Sequence, residues 1–249
     1  MSYALCIVPA APIRKEASHR SEMTSQLLFG EVLEILETQE EWLHIRTQYD
    51  SYEGWITPHM VQHTEQAMSS NFVMAELVNT VSWRDTILHA PMGAATPGWN
   101  PENGLLWDGL SSYSGKFHDL SVLDKDRILP TAMHWLNAPY LWGGKTLMGV
   151  DCSGFVQTVF KLSGIILQRD AYQQAEQGEK IGLEEAKPGD LAFFHNDEDR
   201  VTHVGIIMEQ DQLIHASGRV RIDILDGEGI VNRETGKRSH RLHSVRRYV

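Results

Sequence analysis

The segment Pro139-Tyr-Leu-Trp-Gly-Gly-Lys-Thr-Leu-Met-Gly-Val-Asp-Cys-Ser-Gly-Phe155 carries one cysteine, Cys152, out of a glycine-rich loop and into a helical pattern. Beyond it Phe155, Val156, Val159, Phe160 and Leu162 recur at helical spacing, and Gly164 stops the run. Cys152 is therefore expected in the first turn of a buried helix. Unpaired backbone N–H groups and the helix dipole at that end favour thiolate over thiol, and the thiolate is the attacking species. Within the loop, Gly143-Gly144-Lys145-Thr146 imitates the end of a phosphate-cradling loop. Pro139 stands where that pattern requires its first glycine, which argues against a nucleotide site. No organic cofactor motif occurs in the chain, and none is expected.

Downstream of the cysteine, strand patterns run over Asp190 to Phe194, His203 to Met208, Gln212 to Ala216, Val220 to Leu225 and Leu242 to Tyr248. They follow two helical patterns, Arg127 to Leu136 and Cys152 to Leu162, so residues 124–249 read as an α+β domain. A cysteine nucleophile needs a base within hydrogen-bond reach, and the base needs a group to hold its ring. His203 and His215 lie in the two strands of one hairpin. With the odd loop Glu209-Gln210-Asp211, Met208 pairs with Gln212, Gly205 faces His215 and Ser217 faces His203. Both histidines then share a face as diagonal neighbours, with Cβ atoms at most roughly 7–8 Å apart. An even loop would send them to opposite faces. A zinc site built from Cys152, His203 and His215 is the competing reading, disfavoured because no paired cysteines or close histidine spacing supports it. The remaining histidines read as surface residues.

Upstream, Ala4 to Val8, Gln26 to Phe29, Glu31 to Glu37, Trp42 to Arg46 and Gly54 to Thr57 read as short strands of a small barrel over residues 1–64. Residues 65–123 hold strand-like pieces, Val73 to Val81 and Thr86 to His89, and then a Gly-, Pro- and Asn-rich stretch. They read as a second, degenerate barrel or as a structured linker.

The 249-residue chain is long enough to bury a sizeable core, and its net charge of -11 argues against a nucleic-acid partner. Only Cys6 and Cys152 occur, so a disulfide framework is excluded, and Cys6 in an apolar run reads as a small buried hydrophobe. No stretch approaches the roughly 20 apolar residues of a membrane span, and the N-terminus lacks a basic segment ahead of an apolar one. A cytoplasmic protein is expected, an exported one with its signal removed being the alternative. Oligomeric state is not readable from the sequence.

Residues 124–249 resemble the NlpC/P60 family of papain-like cysteine peptidases. The resemblance rests on Tyr-x-Trp-Gly-Gly at 140–144, Asp-Cys-Ser-Gly at 151–154, Pro-Gly-Asp-Leu at 188–191, His-Val-Gly-Ile at 203–206 and Ile-His-Ala-Ser at 214–217. It implies Cys152 as nucleophile, His203 as general base and then acid, and His215 orienting the His203 ring. The first 64 residues resemble a bacterial SH3-like domain, through Gly30-Glu31, the alternating Trp42-Leu-His-Ile-Arg46 and Gly54-Trp55.

With Arg169-Asp-Ala-x-Gln-Gln after the active-site helix, the arrangement is similar to γ-D-glutamyl-L-diamino acid endopeptidases. These act on free murein peptides with an unblocked N-terminal L-alanine. A buried ammonium requires a carboxylate partner, and Asp151 is the expected one. The resemblance further implies Tyr52 and Glu22 closing the far end of the cleft, with Ser153, Tyr140, Asp170 and Ala171 around the substrate. Ala171 stands where relatives often carry serine, which removes one hydrogen bond. A wall-lytic endopeptidase, a non-catalytic wall-targeting module and an acyltransferase or amidase on the same scaffold are the alternatives.

Overall fold

A computed structural model of the chain describes residues 2–100, 102–209 and 211–248. It divides into two compact units, Met1–Val122 with Trp142–Leu147, and Leu123–Leu141 with Met148–Val249.

In the first unit, strands β1 (Ser2–Cys6), β2 (Ala10–Arg14), β3 (Met23–Leu28), β4 (Val32–Gln39), β5 (Trp42–Thr47), β6 (Glu53–Ile56) and β7 (Val61–Thr64) form one antiparallel sheet in the order β3-β2-β6-β5-β4-β1-β7. Alternate residues, among them Ala4, Cys6, Ala11, Ile13, Leu43 and Ile45, point into a shared apolar core. The sequence pattern missed β2 because Pro12 interrupts it. The proline is tolerated because β2 meets β6 only at Arg14 opposite Trp55, so no ladder bond on that side requires a Pro12 N–H.

The following segment carries β8 (Phe72–Met74), β9 (Val78–Trp83), β10 (Thr86–Pro91) and β11 (Phe117–Asp119), in two antiparallel pairs. Their core gathers Met74, Val81, Ala90, Leu106 and Tyr113 with Phe29, and is walled by Trp83, Trp99 and Trp107. The short β12 (Lys145–Thr146) also belongs to this unit. Lys145 donates its N–H to Gln26 Oε1 at 2.8 Å, and its ammonium lies 3.7 Å from the Glu31 carboxylate.

The second unit comprises α1 (Ile128–Met133), β13 (Gly149–Val150), α2 (Cys152–Leu162), α3 (Ala171–Gln174) and strands β14 (Glu179–Ile181), β15 (Leu191–His195), β16 (Val201–Ile207), β17 (Gln212–Ser217), β18 (Arg219–Asp226), β19 (Gly229–Val231) and β20 (Arg238–Arg247). The sheet order is β14-β20-β15-β16-β17-β18-β19, and a further β19–β20 pairing closes the last six strands into a ring. Ala192, Phe194, Ile207, Leu213, Leu225, Ile230 and Val245 form its core. The Pro188-Gly-Asp-Leu motif fastens this ring. Asp190 accepts from the Lys187 N–H and takes a two-pronged pair from Arg247, at 3.0 and 2.7 Å, tying the start of β15 to the end of β20.

Helix α2 spans the residues its periodicity predicts, and each is buried. Asp151 caps it, with Oδ1 accepting the Gly154 N–H at 2.7 Å. Its far end closes through Gly164, which adopts φ +80° while the Ile165 N–H returns to the Phe160 carbonyl. That left-handed turn is one glycine adopts readily. α1 is shorter than the expected Arg127 to Leu136, since a 3-10 turn over Lys125–Arg127 precedes it and turns replace its last residues.

Candidate active site

Cys152 is the first residue of α2, and its sulfur lies 4.0 Å from the carbonyl of Thr202 on β16. The neighbouring residue on that strand is His203. β16 and β17 pair with Gly205 opposite His215 and Ile206 opposite Ile214, the register of the odd loop. Both imidazoles therefore share a face, and His203 Nε2 lies 2.7 Å from His215 Nδ1. Gly205 makes this possible. A Cβ there would come within 2.9 Å of His215 Cβ and 2.8 Å of Leu213 Cγ.

The face continues onto β18. The turn at Gly218 sets Leu213 opposite Asp223 and His215 opposite Arg221. His215 Nε2 then lies 3.0 Å from Asp223 Oδ2. The carboxylate also accepts from Arg221 Nη2 at 3.1 Å and from the Arg233 N–H at 2.9 Å. Asp223, 1% exposed, carried no expectation from the sequence, although the strand parity that joined the two histidines extends to it through one more turn. His240 is a second omission. Expected at the surface, it is half-buried on β20 and stacks on His203, with ring centroids 4.2 Å apart and planes 20° apart.

The electrostatics hold the pair neutral. Burial, and then the Asp151 charge, push the Cys152 thiol up to about 12 against the pull of the Val204 and Ser153 backbones and Arg169. Burial, followed by His215 and His240, holds His203 well below the ordinary histidine value of 6.5. The helix start favours a thiolate, and these surroundings act in the opposite direction. At 5% exposure, desolvation opposes the dipole. Burial alone would raise Asp223, but the hydrogen bonds from His215, Arg233 and Arg221 outweigh it and hold the carboxyl at about 2.

Asp151 corrects a second expectation. Its two oxygens meet Arg169 Nη1 and Nη2 at 3.1 and 2.6 Å, and Oδ1 also caps α2. A carboxylate 6% exposed and neutralised by a guanidinium 1% exposed does not fit the role of reading a substrate ammonium. Ser153 is drawn into the same cluster, its hydroxyl accepting from Arg169 at 2.8 Å and its carbonyl from Gln174 at 3.1 Å. Tyr140 is half-buried, and its N–H donates to the Gly218 carbonyl at 3.0 Å. Its hydroxyl pKa is raised by burial first and then by Cys152 and Asp151. Asp170 caps α3, is half-buried and donates its N–H to Gln173 Oε1, while Ala171 is the first residue of that helix.

Tyr52 and Glu22 belong to the first unit. Tyr52 packs against the barrel core, and exposed Glu22 accepts from Trp142 Nε1 at 2.7 Å. Among the described residues, no cluster of three or more His, Cys, Asp or Glu side chains is arranged to hold a metal ion.

Residues 137–239 match the NlpC/P60 family, and residues 13–59 match the bacterial dipeptidyl-peptidase Sh3 domain. The chain carries an NlpC/P60 domain. A gamma-D-glutamyl-L-lysine dipeptidyl-peptidase of Bacillus subtilis is 28% identical over 77% of this chain and 71% of its own length. The dipeptidyl-peptidase 6 of Lysinibacillus sphaericus is 26% identical over 90% of this chain and 92% of its own. In fold, the chain superposes on an NlpC/P60 family protein from Bacillus cereus with a TM-score of 0.85, over 99% of both chains at 19% identity. The α+β class with an SH3-like N-terminal domain, expected from the sequence, is therefore the fold. The matched NlpC/P60 span includes Cys152, His203, His215 and Asp223.

Proposed function

We propose that this NlpC/P60 protein is a cysteine peptidase that cuts the γ-D-glutamyl-L-diamino acid bond of free murein peptides. The observation that carries the chemistry is a buried imidazole whose far nitrogen is already engaged, His203 Nε2 to His215 Nδ1 at 2.7 Å, next in the strand to Thr202, whose carbonyl lies 4.0 Å from the helix-start sulfur of Cys152. That leaves His203 Nδ1 to serve the sulfur. As Cys152 Sγ attacks the peptide carbonyl carbon, its proton passes to Nδ1 and the carbonyl oxygen takes the negative charge. The Cys152 N–H at the helix start is suited to stabilise that oxyanion, with the Tyr140 hydroxyl as candidate partner. Collapse breaks the C–N bond, and His203 returns the proton to the leaving amine. Water, deprotonated by His203, then hydrolyses the thioester to the free acid and restores the thiol.

The bond choice rests on the relatives named for γ-D-glutamyl-L-lysine dipeptidyl-peptidase activity and on the matching Sh3 domain. In this reading the first domain limits the enzyme to released fragments, and peptide recycling places it in the cytoplasm. With Asp151 committed to Arg169, half-buried Asp170 is the proposed carboxylate for an N-terminal ammonium. Mass spectrometry of products tests the reading. L-Ala-γ-D-Glu-diaminopimelate is expected to release L-Ala-γ-D-Glu, with the N-acetylated peptide and Cys152→Ala both inert. Cleavage of the acetylated peptide or of intact sacculi would instead make it a wall-lytic enzyme.

A further inference from the structure

Building on the cysteine-peptidase reading, we propose that Asp223 is a positioning residue that fixes the tautomers of both histidines through a directed chain of hydrogen bonds. The argument is one of donors and acceptors. Asp223 Oδ2, held by its carboxylate's bonds to Arg221 and the Arg233 N–H, only accepts, so His215 must carry its proton on Nε2, 3.0 Å away. His215 Nδ1 is then a bare lone pair, and His203 Nε2, at 2.7 Å, must be the donor. His203 Nδ1 is consequently unprotonated, which makes it a base toward Cys152. Reversing any one proton would turn that nitrogen into a donor and remove the base.

The chain also carries charge. When His203 takes the thiol proton, the new imidazolium is linked through one neutral ring to a buried carboxylate. Asp223 touches neither substrate nor sulfur in this scheme. The groups around the relay are Cys152 on α2, whose sulfur lies 4.0 Å from the Thr202 carbonyl beside His203, His240 stacked from β20, Arg221 on β18, and Glu234, which lies 3.3 Å from Arg221 Nη1. Replacing the His240 ring would leave the hydrogen-bond order intact, whereas removing the Asp223 acceptor would not. The strand register places Asp223 diagonal to His215 across β17 and β18.

The test begins with the unaltered protein. 15N NMR of histidine-labelled enzyme at neutral pH should show both His203 and His215 protonated on Nε2. A proton on His203 Nδ1 would overturn the proposal without any variant having to fold. In Asp223→Asn, kcat is expected to fall at least ~100-fold with KM within about threefold, as for the orienting carboxylate of other nucleophile–His–carboxylate sites. The acid limb of the kcat profile should move to lower pH, because the His203 imidazolium loses its carboxylate. An unchanged acid limb and kcat within threefold of the parent would also overturn the proposal. Failure of the peptidase reading is separable. Hydrolysis that survives Cys152→Ala defeats that reading, whereas Cys152-dependent hydrolysis indifferent to Asp223→Asn defeats only the relay.

Discussion

Cys152 shows how one residue's surroundings can reverse a local rule. The helix start favours a thiolate, yet burial and Asp151 hold the proton on sulfur, while burial keeps His203 neutral. The free enzyme should therefore show no plateau of thiolate reactivity at low pH. Iodoacetamide labelling of Cys152, followed by peptide mapping, is expected to accelerate only as pH rises past the ordinary thiol range of about 8.5. A labelling rate that stays constant down to pH 5 would show a thiolate–imidazolium pair instead. Cys6 serves as an internal control, because it is fully buried and likewise pushed up to about 12.

At the level of elements, two contacts position the site. Asp151 both caps α2 and neutralises Arg169, so Asp151→Ala loses a cap worth about 1 kcal/mol and strands a buried guanidinium at about 3–5 kcal/mol. Chemical denaturation should show that loss, and the double variant Asp151→Ala/Arg169→Met should recover part of it. No recovery would mean that the pair contributes little beyond the cap. In β16, Gly205→Ala would drive a methyl into His215 Cβ and Leu213. About 1–3 kcal/mol of destabilisation is expected, with kcat falling at least ~10-fold because the His203–His215 bond is displaced. Full activity in that variant would show that β17 can retreat without disturbing the relay. Asp223 was legible in principle from the same parity count. The turn at Gly218 had to be known first, since one residue more or less would have turned Asp223 to the opposite face.

For the molecule as a whole, buried histidines make stability depend on pH. His203 sits well below 6.5 and His240 at about 4 in the folded state, while the unfolded chain binds those protons near 6.5. The unfolded state therefore binds more protons as pH falls below 6.5. Stability is complete above that value and is lost on descending toward pH 4, by up to about 1.4 kcal/mol per pH unit for each group so held. Below pH 4 the Asp223 carboxylate adds its own loss. Urea midpoints measured from pH 7 to pH 4 should fall accordingly. His240→Phe, which keeps a ring against His203 but cannot titrate, should flatten part of that fall. An identical slope in the variant would mean that His240 is protonated freely in the folded state.

The sequence by itself determined the helix that presents Cys152, the hairpin that joins His203 to His215, and the α+β class with an SH3-like start. Each depends on local periodicity, turn chemistry or short-range strand parity. Only tertiary structure decided the rest. It closed the ring through β19 and β20, which brought His240 onto His203 from 37 residues away along the chain. It set Arg169 against Asp151, converting an expected substrate contact into internal support. Long-range pairings of this kind follow from which surfaces bury one another, and burial also decides whether a thiol or an imidazole holds the proton.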